Sequence, residues 1–140
     1  MVQKRSSDMA DFQKVKDYLF ELGYEIQNEY PEQEMVVISK KRMGINNLII
    51  DCESPLLVFE QYIFTLSDAK RKNPDILLRL LQMNRGLVHG AFVVDDDGEK
   101  VIYRDTLQLE NLDLNEIKGT LDSISLAMVE YMDELIEFAK

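Results

Sequence analysis

The chain predicts an α+β domain: an antiparallel sheet with helices packed mainly on one side, in the order α-β-β-β-β-α-β-β-α. Three observations carry this prediction. The first half holds short apolar, β-branched runs separated by turn residues. The stretch Asn73 to Leu109 reads as a helix followed by a hairpin, and the C-terminal stretch carries one sustained helical seam. With 140 residues, the sequence is the size of a single domain spanning 1–140. A domain near this length buries roughly 68–70% of its unfolded surface, enough for a core without staples.

In order, the first helix runs from about Ser7 or Asp8 to Leu22. Phe12, Val15, Leu19 and Leu22 fall on one face, and Gly23 ends it. Tyr18 and Phe20 lie off that face. Tyr24 to Tyr30, a turn at Pro31-Glu32-Gln33 and the β-branched run Met35 to Ile38 form a first hairpin. A basic turn at Lys40 to Gly44 leads to Leu48-Ile49-Ile50, then a turn at Asp51 to Pro55, then a longer run from Leu56 to Leu66. In that run Leu56, Val58, Glu60, Tyr62, Phe64 and Leu66 form the more apolar of two alternating sets, and the other also holds Leu57, Phe59 and Ile63, so the strand is expected to be covered on both faces or central in its sheet.

Lys70 to Lys72 form a basic linker. Asn73-Pro74-Asp75 then starts a helix, with a capping amide, a proline at the first helical position and an acid facing the positive end of the dipole. Ile76, Leu77, Leu80, Leu81 and Asn84 share one side, and Gly86 stops it. Strands from His89 to Val94 and Val101 to Leu107 flank Asp95-Asp96-Asp97-Gly98, a hairpin turn. Asn111-Leu112-Asp113 opens the last helix, in which Ile117, Leu121, Ile124, Met128, Tyr131, Leu135 and Phe138 step by 4, 3, 4, 3, 4 and 3. Leu126, Val129, Met132 and Ile136 form a second stripe, so the helix is wider in apolar surface than one sheet face requires.

Composition limits the partners. The net charge of −10 repels a phosphate backbone, so nucleic acid is not expected to bind. Nine acids against two lysines from Asp105 to Lys140 concentrate that charge toward the C-terminus. No apolar run reaches the roughly 18 residues needed to span a bilayer, and no apolar signal core follows Lys4-Arg5. A single cysteine, Cys52, excludes an internal disulfide and fits a reducing compartment, so a cytoplasmic protein without membrane partners is expected.

Sequence signs of catalysis are few. His89 is the only histidine, which rules out a multi-histidine metal site within one chain. Cys52 has no redox partner, and no glycine pattern matches a phosphate-cradling loop. Counting from Asp95 as the first position of a calcium loop, the twelfth residue is Thr106 rather than the closing glutamate. No catalytic, metal or cofactor residue is therefore assigned.

Leu80-Leu81-Gln82-Met83-Asn84-Arg85-Gly86-Leu87-Val88-His89-Gly90-Ala91-Phe92-Val93-Val94, followed by an acidic turn, a strand and a long helix, resembles the YbjN family. The helix-ending asparagine and the glycine and phenylalanine at the next strand's entrance correspond to Asn84, Gly90 and Phe92. That resemblance implies a type III secretion chaperone-like fold, because the family is similar in fold to class I secretion chaperones. These are small acidic dimers that hold extended segments of effector proteins.

The expected function is a non-catalytic protein-binding or chaperone-like module, a homodimer holding a protein client or extended peptide segment. The apolar surplus Tyr18, Phe20, Tyr62 and Phe64 supplies candidate partner-binding residues, and Met128, Tyr131 and Leu135 candidate dimer contacts. Two other readings stand beside it: a small carboxylate-based enzyme or metal-binding domain, and a regulatory or structural dimer without a client.

Overall fold

The computed structural model describes residues 6–140, with side chains from Ala10 onward; the polar stretch ending in Lys4-Arg5 lies outside the described residues. Helix α1 (Ser6–Glu21) precedes four strands, β1 (Ile26–Tyr30), β2 (Met35–Lys40), β3 (Ile45–Glu53) and β4 (Leu56–Thr65). Two short helices, α2 (Asp68–Arg71) and α3 (Pro74–Arg85), lead to the hairpin β5 (Ala91–Val94) and β6 (Lys100–Gln108). The long helix α4 (Leu114–Ala139) ends the chain. The six strands form one antiparallel sheet in the order β1-β2-β3-β4-β6-β5.

The element order and the sheet are those expected, with four local differences. Asp51 to Glu53 are strand rather than turn, because Asp51 pairs with Val58 and Cys52 with Leu57, leaving Ser54-Pro55 as the connection. The strand after α3 begins at Ala91 instead of His89, because Gly90 takes a φ of +74° and the Tyr103 hydroxyl donates to the His89 carbonyl. The basic linker contains α2, capped by the Ser67 side chain accepting from the Lys70 N–H. In β4 the register shifts between Tyr62, paired with Ile102, and Phe64, paired with Val101, so Ile63 is an extra residue. The alternation therefore changes phase: Leu57, Phe59 and Gln61 face the core before the bulge, and Phe64 faces it afterward.

One sheet face is covered. Val36, Ile38, Leu48, Ile50, Leu57, Phe59, Tyr103 and Phe92 join Phe12, Val15 and Leu19 of α1 and Ile117, Leu121, Ile124, Met128, Tyr131 and Leu135 of α4 in a single core. Each large aliphatic or aromatic side chain removed from water in this way contributes roughly 1.5–3 kcal/mol. The α4 helix starts with a capping box, in which Asp113 accepts from the Glu116 N–H and the Glu116 side chain accepts from the Asp113 N–H. Its seam contacts β3, β4 and β6.

Asn84, Gly90 and Phe92 form one packing device. Asn84 Oδ1 accepts from the Phe92 N–H at 2.7 Å and its Nδ2 donates to the Phe92 carbonyl at 3.1 Å, so the side-chain amide stands in for a neighbouring strand. A Cβ at Gly90 would lie 2.6 Å from the Tyr103 hydroxyl and 2.9 Å from the Arg104 carbonyl, which only glycine avoids. Phe92 meets Tyr103 and Tyr131 edge-on, with ring centroids 5.7 and 6.2 Å away. Arg79 of α3 forms a forked pair with Glu134 of α4, at 2.8 and 2.7 Å, and lies over the Tyr131 ring.

Replacing Asn84 with Ala leaves two backbone groups of Phe92 without their partner and should lower stability by about 1–3 kcal/mol in urea denaturation. A change under about 0.5 kcal/mol would mean that water takes over the role of this amide. The Arg79 side chain holds the Glu134 carboxyl below its ordinary value of 4.5, first by hydrogen bonding and further by charge. The folded chain therefore binds fewer protons here than the unfolded one, so the pair stabilises fully above pH 4.5 and less as pH falls through the lowered value. Both side chains are more than a third exposed, so the effect is small. The difference in melting temperature between wild type and Glu134→Gln should shrink as pH falls from 7 toward about 3; a difference constant with pH would show that the pair contributes by packing alone.

Candidate partner-binding surface

The sheet leaves its second face and its two edges outside the helical cover, and the edges differ. At β5 the outward groups of Phe92 are taken by Asn84, and α3 lies alongside. At β1 every residue after Ile26 is exposed, and among the described residues no strand lies beyond it. The bulge in β1 falls at Gln27, whose side chain is held by Ser39 and Asn47. Lys16 of α1 reaches Glu29 of β1 at 3.3 Å and lies over the Phe12 ring. Phe20, four residues on and so on the same side of α1, is 84% exposed. Tyr18 is half-buried against the core, and Lys14 lies over its ring.

On the open sheet face Tyr62 is 54% exposed, its hydroxyl 2.6 Å from Thr65 Oγ1, and it shares a shallow apolar hollow with Ile49 and Ile102. Phe64 is only 4% exposed and packs on Phe138. The bulge at Ile63 sends Phe64 to the core side, so it is a core residue rather than a contact for a partner.

The dimer candidates Met128, Tyr131 and Leu135 are likewise buried within the chain, because the seam they belong to is the one that seals the sheet. The α4 surface that remains free is the second stripe, Leu126, Val129, Met132 and Ile136, and each of these residues is exposed. Beside it lies a cleft of about 430 Å³ between α4 and the point where β3 and β4 part, lined by Met128, Met132, Tyr62, Ile63, Gly44 and Lys41, among others. Gln61 bridges this parting: its amide donates to the Gly44 carbonyl at 3.0 Å and accepts from the Asn46 N–H at 2.9 Å. Gly44 permits the close approach, since a Cβ there would lie 2.6 Å from Met128 Cβ. A second apolar hollow of about 300 Å³ separates α3 from β5, lined by Leu77, Leu81, Phe92 and Val94 among others; Leu78 of α3 and Val88 of the loop after it are exposed. The stripe was legible as surplus periodicity; the clefts were not, because they depend on a bulge and a diverging strand pair.

Titration offers little sign of acid–base chemistry. Burial, with Asp105 nearby, raises the Tyr103 hydroxyl, and burial, with Asp122, raises that of Tyr24. Asp95 is held low by the backbone N–H groups of Lys100 and Glu99, which it accepts to close the hairpin turn. These are groups with structural partners. Among the described residues no cluster of three or more His, Cys, Asp or Glu side chains is placed to hold a metal ion, and no helix is long and apolar enough to cross a membrane.

Comparison with solved structures gives the same fold at low identity. The chain is similar to YbjN from E. coli, with 14% identity, 88% of this chain and 92% of that one covered, and a TM-score of 0.62. It is similar to a chain of the HopA1-SchA chaperone–effector complex, with 13% identity, coverage of 96% and 98%, and a TM-score of 0.63. A third neighbour is an uncharacterized protein from Methanothermobacter thermautotrophicus, with 12% identity, coverage of 93% and 99%, and a TM-score of 0.66. No curated protein matches the sequence. The model of the CesT_Tir_1 family matches residues 8–140, nearly the whole described domain, and the chain belongs to that family.

Proposed function

We propose that this protein is a non-catalytic, chaperone-like module of the cytoplasm that holds an extended segment of a client protein along the free edge of β1. The observation that carries the reading is the asymmetry of the edges. One is closed by Asn84, whereas the other is uncovered, and Phe20, an almost fully exposed aromatic, lies one turn along α1 from Lys16, which reaches Glu29 of that edge. An added strand would take backbone hydrogen bonds from β1, and Phe20 would supply an apolar anchor for one of its side chains. Family membership and the chaperone–effector neighbour support binding of a protein client. Glu25 and Glu32, which flank β1 in the chain, favour a client segment that carries lysine or arginine.

The module works as a homodimer, and the surface that suits this is the α3–β5 hollow. Leu81 and Val94 line it and are exposed, and Leu78 of the same helix and Val88 of the following loop are exposed too. Arg85 ends α3, and Asp96 and Asp97 lie in the turn that follows β5, so a twofold contact that set these two against each other would pair unlike charges.

A displayed random-peptide library selected against the full chain tests the client edge. Selected peptides should slow amide exchange of Gln27 to Tyr30, and Phe20→Asp should weaken their binding about tenfold or more while leaving the melting temperature unchanged. Protection confined to the open face around Tyr62 would move the client site there. Light scattering tests the dimer: wild type should have twice the chain mass, and Leu78→Glu with Leu81→Glu should be a folded monomer. A monomeric wild type would remove the dimer from this reading.

A further inference from the structure

We propose that the outer stripe of α4 and the cleft beside it form a second docking site, separate from the β1 edge, that seats a basic amphipathic helix of a partner protein. The stripe is Leu126, Val129, Met132 and Ile136, with Val129 70% exposed, and these residues succeed one another along the helix at spacings of three and four. Met132 belongs to both features: it ends the stripe's inner flank and lines the cleft with Met128, Tyr62 and Ile63. A ridge of exposed apolar side chains bordering a preformed hollow is the shape that receives one face of a helix, whose bulky side chain enters the hollow. The two methionines lining it are flexible enough to fit around that side chain.

Charge identifies the occupant. From Gly119 to Ala139 the sequence has five carboxylates and no lysine or arginine. Asp122, Glu134 and Glu137 are paired with Lys118, Arg79 and Lys140, whereas Glu130 and Asp133, which border the stripe, make no close ion pair among the described residues, although Arg79 lies within electrostatic reach of Glu130. Packing two α4 stripes together would set Glu130 and Asp133 of one copy against those of the other, so a second copy of this chain is disfavoured here. A helix with leucine-like residues on one face and lysine or arginine along the flank satisfies both the stripe and the ridge.

The probe is an 18-residue synthetic helix of leucine and lysine, compared with its leucine–glutamate counterpart. Binding is followed by fluorescence anisotropy and by the methyl signals of the methionines. The lysine helix should shift the Met132 and Met128 methyls. It should bind Val129→Ser with Ile136→Ser at least tenfold more weakly, although that variant keeps every charge, and should weaken again on Glu130→Lys with Asp133→Lys. The glutamate helix should not bind. Equal affinity for wild type and the serine variant would overturn the proposal, reducing the contact to general attraction by an acidic protein. So would no binding of the lysine helix, or a change in chain mass by light scattering in the serine variant alone, which would make the stripe a contact between copies. Circular dichroism confirms that both variants fold, and failure of the peptide selection at the β1 edge leaves this result unaffected.

Discussion

The structure depends on a matching of lengths. Six strands about 4.8 Å apart make a sheet roughly 24–29 Å wide, and only one of its faces is covered by helices. A helix of 26 residues is roughly 39 Å long, enough for α4 to cross β3, β4 and β6, while α1 lies over β3. The seam from Ile117 to Leu135 is therefore committed to closing the core, and it must be apolar along its whole length for the sheet to be dry on that side. Whatever the chain presents to partners must come from what this closure leaves over: the back of α4, the flank of α1, the open sheet face and the edges.

The two edges are handled by different means, and the difference points to use. A sheet edge is a row of unmet backbone groups that invites another strand. At β5 the chain meets that demand internally, with one amide side chain held in place by its position in α3 and by the Phe92–Tyr131 contact beneath it. At β1 the defences are weaker. They are a bulge at Gln27 and an ion pair between Lys16 and Glu29, both of which shape the strand without occupying its outer side. The net charge of −10 opposes indiscriminate pairing between copies, so an open edge is compatible with a well-behaved protein.

Much of the fold was legible because local signals agreed with one another. The seam of α4, the start of α3 at Asn73-Pro74-Asp75 and the turn at Asp95 to Gly98 each combine periodicity with capping or turn chemistry, and each lies where those signals place it. The motif Asn84, Gly90 and Phe92 was visible as a pattern, but its work as an edge cap was not, since that requires the fold to bring the amide across to the strand. The central place of β4 was legible from its two apolar sets, whereas its change of phase was not. Alternation through Leu56, Val58, Glu60, Tyr62 and Phe64 is unbroken in the sequence, whereas the strand inserts Ile63 and moves Phe64 to the other side. Met128, Tyr131 and Leu135 show the complementary error: the cleanest apolar stripe on a helix is the one the chain's own core has first claim on.

The places where simple patterning fails coincide with the cleft. The bulge at Ile63 turns Phe64 inward next to the outward Tyr62, and the parting of β3 and β4 leaves Gln61 to bridge Gly44 and Asn46 with its side chain in place of a strand ladder. The absence of a side chain at Gly44 lets the preceding turn press against Met128. Each of these is a local departure from regular pairing, with a cost in backbone hydrogen bonding or freedom, and together they produce one hollow next to the exposed stripe of α4. A sheet built only for stability would pair β3 and β4 to their ends and keep the alternation of β4 intact. That these departures fall together beside the stripe, rather than scattered over the sheet, is the structural argument that this part of the surface is shaped for binding.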